Sequence, residues 1–280
     1  MILNGKEISK IIKGRVKQEV SELPTKVKLL VFLVGNNEAS KVYVSNKERA
    51  CKEVGIISQT VLLDEFVTQR ELILKIKEAN SNPEINGILV QLPLPSHLDE
   101  KAVINAIDPI KDVDGLTIHN QGCLFNGLKT IKPATPYGVM HLLSEYKIDV
   151  AGKNALVIGR SNLVGKPLAM LLLEKNATVT IAHSKTKNLK DIAKRSDIII
   201  SCVGKPFFVT ADMIKPDTIV IDVGISRFHG KIVGDVDFPE VEKVALYITP
   251  VPGGVGPMTI ATLMENVVEC YKIQNHCDLN

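Results

Sequence analysis

Tryptophan is absent and aromatic residues of all kinds make up only 4% of the chain, so no stacking surface of interleaved aromatic and basic residues exists for nucleic-acid bases. Charge of one sign is also lacking. The 34 basic and 31 acidic residues leave a formal net charge of +3 with no long basic run, which argues against a nucleic-acid partner and leaves small anionic ligands open. Long apolar runs are missing too. The longest, Leu29–Val34 and Leu168–Leu173, fall far short of the roughly 20 residues of a membrane span, and the start MILNGKEISKIIKGRV is amphipathic with both charge signs. No secretion, transit or membrane segment is expected. The five cysteines, Cys51, Cys123, Cys202, Cys270 and Cys277, form no close pair of the kind that binds zinc or makes a redox motif. They read as reduced thiols in a cytoplasmic protein, and no metal site is expected.

What the chain does have is length and rhythm. Its 280 residues, 45% of them apolar, suffice for two modest domains. Short β-rich runs alternate with helical patterns throughout, the signature of α/β domains with mainly parallel sheets covered by helices. Strands are predicted at Lys28–Val34, Ser58–Leu63, Gly87–Val90, Ala155–Ile158, Thr178–His183, Asp197–Val203, Thr218–Val223 and Leu246–Thr249. Helices are predicted at Glu7–Glu22, Ser40–Val54, Arg70–Asn80, Glu100–Ile107, Pro136–Tyr146, Val164–Lys175, Leu189–Arg195 and Pro257–Tyr271. The stretch Asp108–Thr135, rich in Gly, Asn and Asp, holds neither period and is expected to cross between domains. The last helix has no strand after it and is expected to pack back on the first domain. The division is therefore 1–134 plus 262–280, and 135–261.

In SKVYVSNKERACKEVG, Ser40 can cap a helix that Gly55 ends in the left-handed conformation. At ~100° per residue, Ala39, Tyr43, Lys47, Ala50 and Val54 share one stripe, which points Lys47 inward. A desolvated ammonium loses its preference for the charged form, so such a lysine can give or take a proton near working pH. The plainer alternative is a lysine that snorkels along the surface or pairs with a carboxylate.

Two loops could complete a site. The strand Gly87–Val90 runs into Gln91-Leu92-Pro93-Leu94-Pro95, whose prolines force the chain out of the sheet at the edge where open α/β sheets bind ligands. Gln91 offers both a donor and an acceptor there. In Lys111-Asp112-Val113-Asp114-Gly115, a calcium loop would need more oxygen ligands than follow. A carboxylate accepting two hydrogen bonds from an amino-pyrimidine-like edge is the functional reading, and an Asx turn the structural one.

The second half opens with a buried-strand pattern, Gly159-Arg160-Ser161-Asn162-Leu163-Val164-Gly165, and a helix: a strand, glycine turn and helix start that favour phosphate. It departs from G-x-G-x-x-G in having Ser161 at the second glycine and Gly165 one residue late. A P-loop is excluded because Pro167 stands where Ser or Thr would bind magnesium. The next strand ends Ala182-His183-Ser184-Lys185 without the acid that usually holds the ribose of NAD. Arg160, His183, Ser184 and Lys185 suit a 2′-phosphate, which predicts NADP over NAD. Gly204 and Gly224 follow strands and suit close backbone approach to a cofactor. The run Thr249-Pro250-Val251-Pro252-Gly253-Gly254-Val255-Gly256-Pro257 makes a rigid loop bare of side chains, suited to a flat ring.

Jointly and in order, Tyr43-x-x-x-Lys47, Val90-Gln91-Leu92-Pro93-Leu94-Pro95, Lys111–Gly115, Gly159-Arg160-Ser161 and Pro250–Pro257 resemble one family along essentially the whole chain: bifunctional methylenetetrahydrofolate dehydrogenase/methenyltetrahydrofolate cyclohydrolase. The resemblance implies NADP-dependent oxidation of 5,10-methylenetetrahydrofolate, then hydrolysis of the methenyl product to 10-formyltetrahydrofolate. It makes Lys47 the proton-transfer residue of the hydrolysis, with Tyr43 and Gln91 tuning it and Asp114 holding the pterin. Leu92, Pro252, Gly253 and Gly254 fall in the substrate set, and Ile225 joins Gly224 among the cofactor contacts. It further implies a folate-binding first domain, a Rossmann-like second domain and a homodimer built through the latter. A dehydrogenase without the hydrolytic step, or a nucleotide-binding regulator without activity, are the rival readings.

Overall fold

The computed structural model describes residues 1–276, and Cys277 lies outside them. The chain separates into two compact units, one of Ile11–Ala134 with the residues from Ile260 onward, the other of Met1–Lys10 with Thr135–Thr259. Residues Met1–Lys10 thus cluster with the second unit, whereas the sequence-based division kept them with the first. The helix α1 (Gly5–Glu22) runs across that division.

The first unit is built on a parallel three-stranded sheet of order β2-β1-β3, from β1 (Lys28–Val34), β2 (Ile57–Leu63) and β3 (Gly87–Val90). The central β1 is a run of apolar residues buried on both faces, as a covered parallel strand requires, whereas the edge strand β2 alternates toward solvent. The helices are α2 (Glu38–Val54), α3 (Gln69–Ser81), α4 (Glu100–Ile104) and α5 (Ile118–Phe125). Asn37, not Ser40, caps α2: Asn37 Oδ1 accepts from Ser40 N at 3.0 Å, and Ser40 is buried one turn inside. Gly55 ends it with φ 87°. Thr68 caps α3 by accepting from Glu71 N. One core joins Leu30, Phe32, Leu72, Ile76, Ile88 and Val103 across this sheet and its helices.

Within the expected crossing segment the structure places α5, capped by Thr117 accepting from Asn120 N. The sequence IHNQGCLF puts a glycine and three polar residues in a helix of little more than two turns, which hides the helical period.

In the second unit α6 (Ala134–Glu145) precedes a five-stranded sheet of β4 (Asn154–Ile158), β5 (Thr178–Ala182), β6 (Ile198–Ser201), β7 (Ile219–Asp222) and β10 (Tyr247–Ile248). Its order is β10-β7-β6-β4-β5, parallel throughout. The helices α7 (Gly165–Glu174) and α8 (Leu189–Lys194) connect β4 to β5 and β5 to β6. The chain leaves β4 toward one side and returns for β6 on the other, so the topological switch lies between their carboxyl ends. The strands β6 and β7 are fully buried Ile and Val runs ending in Ser201 and Asp222. The hairpin β8 (Ser226–Phe228) and β9 (Lys231–Val233) and the single-turn α9 (Phe238–Val241) are absent from the sequence-based expectation. The final helix α10 (Val255–Gln274) belongs to this unit through Thr259 and to the first unit from Ile260. Among the described residues, no helix is long and apolar enough to cross a membrane.

Candidate functional site

In the first unit three chemical groups meet. Lys47, in the middle of α2, donates from Nζ to Gln91 Oε1 at 3.1 Å. Gln91 directly follows β3, is buried, and donates from Nε2 to Leu92 O at 2.6 Å. Its backbone N donates to Phe32 O, so the residue is pinned at both ends. The donor and acceptor of this amide are thus both engaged within the protein, where the oxygen fixes the lysine. Burial pulls the Lys47 pKa below its ordinary value, and the nearby Asp114 carboxylate partly opposes that fall. Asp114 is itself pushed up by burial, with Lys47 as the opposing influence. Desolvation therefore dominates both partners, and the pair is no simple surface ion bridge.

The stripe expected on α2 is rotated. Its buried face is Ser40, Val44, Ala50, Cys51 and Val54, while Ala39 is exposed and Tyr43 is 43% exposed. Lys47 sits half-buried at the border, one turn after Tyr43. A border position lets the stem be buried while the amine reaches Gln91 at the end of β3.

The two carboxylates of the Lys111–Gly115 segment have separate tasks. Asp112 is buried, and its Oδ2 accepts from Thr117 N at 2.8 Å and Asn120 Nδ2 at 3.0 Å, the turn-forming role. Burial raises its pKa to about 6. Lys111, also buried, donates to the carbonyls of Asn80 and Asn82 at 2.8 Å each at the end of α3. Ile88 N donates to Lys111 O, which lays this segment against β3. That leaves Asp114 facing Lys47. Asn266 of α10, absent from the sequence-based set, donates from Nδ2 to Val113 O at 2.8 Å and Lys132 O at 2.9 Å. It thereby ties the residue before Asp114 to the Ile131–Pro133 backbone that packs against Gly115. Only the contact itself reveals it, since an asparagine within a helical pattern carries no distinguishing signal.

In the second unit, Gly159 leaves β4 with φ 130°, and a Cβ there would lie 2.5 Å from Cys202 Sγ. Gly165 lets α7 start against the same turn, because its Cβ would lie 2.3 Å from Gly159 O. That close packing requires a glycine at this position. Ser161 Oγ accepts from Val164 N at 3.2 Å and Gly165 N at 3.4 Å, so its hydroxyl takes up two backbone donors where α7 starts. Arg160 is exposed at the carboxyl end of β4, and Ser184 and Lys185 at that of the neighbouring β5. His183 Nδ1 accepts from Lys185 N at 3.2 Å and shapes this turn. Guanidinium, hydroxyl and ammonium on two adjacent strand ends form a donor set for phosphate.

Gly204 (φ 68°) follows β6 in an exposed loop, and Gly224 follows β7 with Ile225 exposed beside it. The close approach at Gly224 is made to Asp235, whose Oδ1 would lie 2.1 Å from an added Cβ. In the proline-glycine loop, Gly253 has φ 113° and accepts from Lys6 N, while a Cβ on Gly254 would lie 2.6 Å from Pro250 O. Pro252 is exposed at its tip. Pro252, Gly253 and Gly254 thus belong to the second unit, and Tyr43, Lys47, Gln91, Leu92 and Asp114 to the first.

Comparison with known proteins matches both halves in order. Residues 3–114 fit the family described as tetrahydrofolate dehydrogenase/cyclohydrolase, catalytic domain, and residues 133–275 the corresponding NAD(P)-binding domain. The bifunctional protein FolD of Campylobacter concisus is 55% identical over 274 residues, covering 95% of this chain and 96% of its own. The crystal structure of the bifunctional FolD dehydrogenase/cyclohydrolase from Campylobacter jejuni superposes with a TM-score of 0.96 at 47% identity, over 98% of this chain and 99% of that one. The Trypanosoma brucei enzyme, solved with NADP and an inhibitor, gives 0.93 at 35% identity, over 98% and 97%. Matched by both domain profiles and by relatives along nearly its whole length, the chain belongs to the tetrahydrofolate dehydrogenase/cyclohydrolase family of enzymes.

Proposed function

We propose that this enzyme oxidises 5,10-methylenetetrahydrofolate with NADP and then hydrolyses the methenyl product to 10-formyltetrahydrofolate, with Lys47 as the proton-transfer group of the second step. The observation that carries the reading is the Lys47 amine, desolvated, fixed by Gln91 and facing Asp114. A dehydrogenase without the hydrolytic step would have no use for it.

The exposed Arg160, Ser184 and Lys185 fit the 2′-phosphate of NADP, and no carboxylate stands in either turn to repel it. The glycine turn Gly159–Gly165 fits the pyrophosphate at the start of α7. When bound, the nicotinamide supplies the hydride acceptor. The chain's own part in the hydrolysis is proton traffic. As water adds to the cationic methenyl carbon, neutral Lys47 takes one of its protons. The bond from that carbon to N5 then opens, N5 receives a proton from the Lys47 ammonium, and the remaining hydroxyl proton leaves to solvent. The formyl group stays on N10. The Asp114 carboxylate accepts hydrogen bonds from the amino-pyrimidine edge of the pterin, and Tyr43 lies one turn from the amine to orient it. Leu92, Pro252, Gly253 and Gly254 complete the substrate set, and Gly204, Gly224 and Ile225 the cofactor set.

Absorbance of the methenyl compound during turnover tests both claims. Transient build-up with NADP, followed by decay, is expected, and a higher catalytic efficiency with NAD would refute the cofactor assignment. We also read the enzyme as a cytoplasmic homodimer joined through the cofactor unit, which light scattering of the purified chain checks.

A further inference from the structure

The loop after β6 is wrapped around a carboxylate that lies outside the sheet. Asp235 is fully buried. Its Oδ2 accepts from Ser201 Oγ at 2.9 Å, Val203 N at 2.7 Å and Gly204 N at 3.3 Å, and its Oδ1 accepts from Lys205 N at 2.8 Å. Four donors from Ser201–Lys205 thus converge on one side chain. The backbone adds to the grip, because Val209 N donates to Asp235 O and Phe207 N to Gly234 O.

Asp235 is in turn set by Asp222 at the end of β7. Asp222 Oδ1 accepts from Asp235 N at 2.9 Å and Gly224 N at 3.0 Å, and its Oδ2 from Val236 N at 2.8 Å. Asp222 N donates to Thr249 Oγ1 at 2.7 Å, at the root of the proline-glycine loop. Gly234 permits this contact, since a Cβ there would lie 1.9 Å from Asp222 Oδ2. Two buried carboxylates therefore brace the loops after β6 and β7, while the loop after β10 is tied separately, through the backbone N of Asp222. Of these, the loop after β6 reaches the topological switch: its Cys202 abuts Gly159.

We propose that Asp235 is a positioning residue for the dehydrogenase half-reaction, fixing the Val203-Gly204-Lys205 backbone in the form that receives the dinucleotide. The inference rests on the reading of this unit as the NADP site. An acceptor with two oxygens and no hydrogen is needed because every group aimed at it is a donor, and buried donors without partners are costly. The hydrolytic step uses no cofactor, and Lys47, Gln91 and Asp114 belong to the other unit. Loss of Asp235 therefore separates the two activities.

The experiment uses the full-length enzyme and Asp235→Asn, which keeps the shape and turns one acceptor into an NH2 facing backbone N–H groups. The NADP Kd and KM are expected to rise about ten-fold or more, while the KM for methylenetetrahydrofolate and the hydrolysis of added methenyltetrahydrofolate stay within about two-fold. Ser201→Ala removes one of the four donors and is expected to raise the NADP KM about two- to three-fold, with Ser201→Thr restoring it. This milder pair carries the test if Asp235→Asn does not fold. Unchanged NADP affinity in the variants overturns the inference, as does a proportional fall of both activities, the mark of a merely structural role. Failure of the unmodified enzyme to bind NADP overturns the underlying site reading, and the inference with it.

Discussion

Lys47 Nζ donates to Gln91 Oε1 across 3.1 Å, and the same glutamine spends its own N–H on Leu92 O at 2.6 Å. With its NH2 turned toward Leu92 O, Gln91 aims its oxygen at the lysine. Lys47→Met keeps length and helix propensity but removes the amine. Hydrolysis of methenyltetrahydrofolate is expected to fall at least about 100-fold, the low end of general acid–base contributions, while hydride transfer survives. Equal loss of both activities, measured side by side, would count against a separate proton-transfer role.

Asp114 gives this lysine a pH signature. Burial lowers the Lys47 pKa and the Asp114 charge raises it, so removing that charge lets it fall further. Lys47 must be neutral to take a proton, so hydrolysis rises with pH through its pKa. In Asp114→Asn the acid limb of the kcat profile is expected to move to lower pH, while the folate KM rises because a pterin contact is weakened. A limb that stays in place or moves to higher pH would show that Lys47 does not govern it.

Much of this was legible in the sequence, because hydrophobic period and glycine placement are local. All eight predicted strands appear, and Gly55 ends α2 as its backbone freedom suggested. The buried face of α2 departs from the stripe of Ala39, Tyr43 and Lys47 because burial depends on where β1 and β2 lie, and Ser40 and Cys51 are buried instead. Asn37 and Ser40 are both competent caps, and only the hydrogen bond decides between them. The roles of Asp112, Asp235 and Asn266 could not be read locally, since their partners are donors or carbonyls elsewhere in the chain. In Lys111–Gly115 the two aspartates look equivalent in sequence, and only the fold sends one to a turn and the other to a lysine.

Gly87 ties sheet packing to the site. A Cβ there would lie 2.4 Å from Val113 Cγ1 and 3.2 Å from Leu29 Cδ1, both in the buried core beside Asp114. Gly87→Ala is expected to destabilise the fold by about 1–3 kcal/mol, the usual cost of overpacking, and to raise the folate KM by displacing Val113. Adding Val113→Ala opens the space again and is expected to recover the KM. Urea unfolding and steady-state kinetics on the single and double variants check this, and no recovery in the double would refute the link.

Asp112 supplies a stability test with a definite sign. Its pKa rises from 3.8 to about 6 on folding, chiefly through burial, so ionising it opposes the folded state. Its favourable contribution is complete below about pH 4 and is lost as pH climbs through about 6, a change on the order of 2–3 kcal/mol. The hydrogen bonds from Thr117 N and Asn120 Nδ2 go to one oxygen, Oδ2. An asparagine can keep that oxygen in place while shedding the charge. Asp112→Asn is therefore expected to flatten the rise in unfolding free energy as pH falls from 7.5 to 4.5, and to be no less stable than the parent at pH 7.5. Denaturant midpoints at the two pH values decide the matter: an unchanged pH slope in the variant would mean that Asp112 is not the group whose burial sets it.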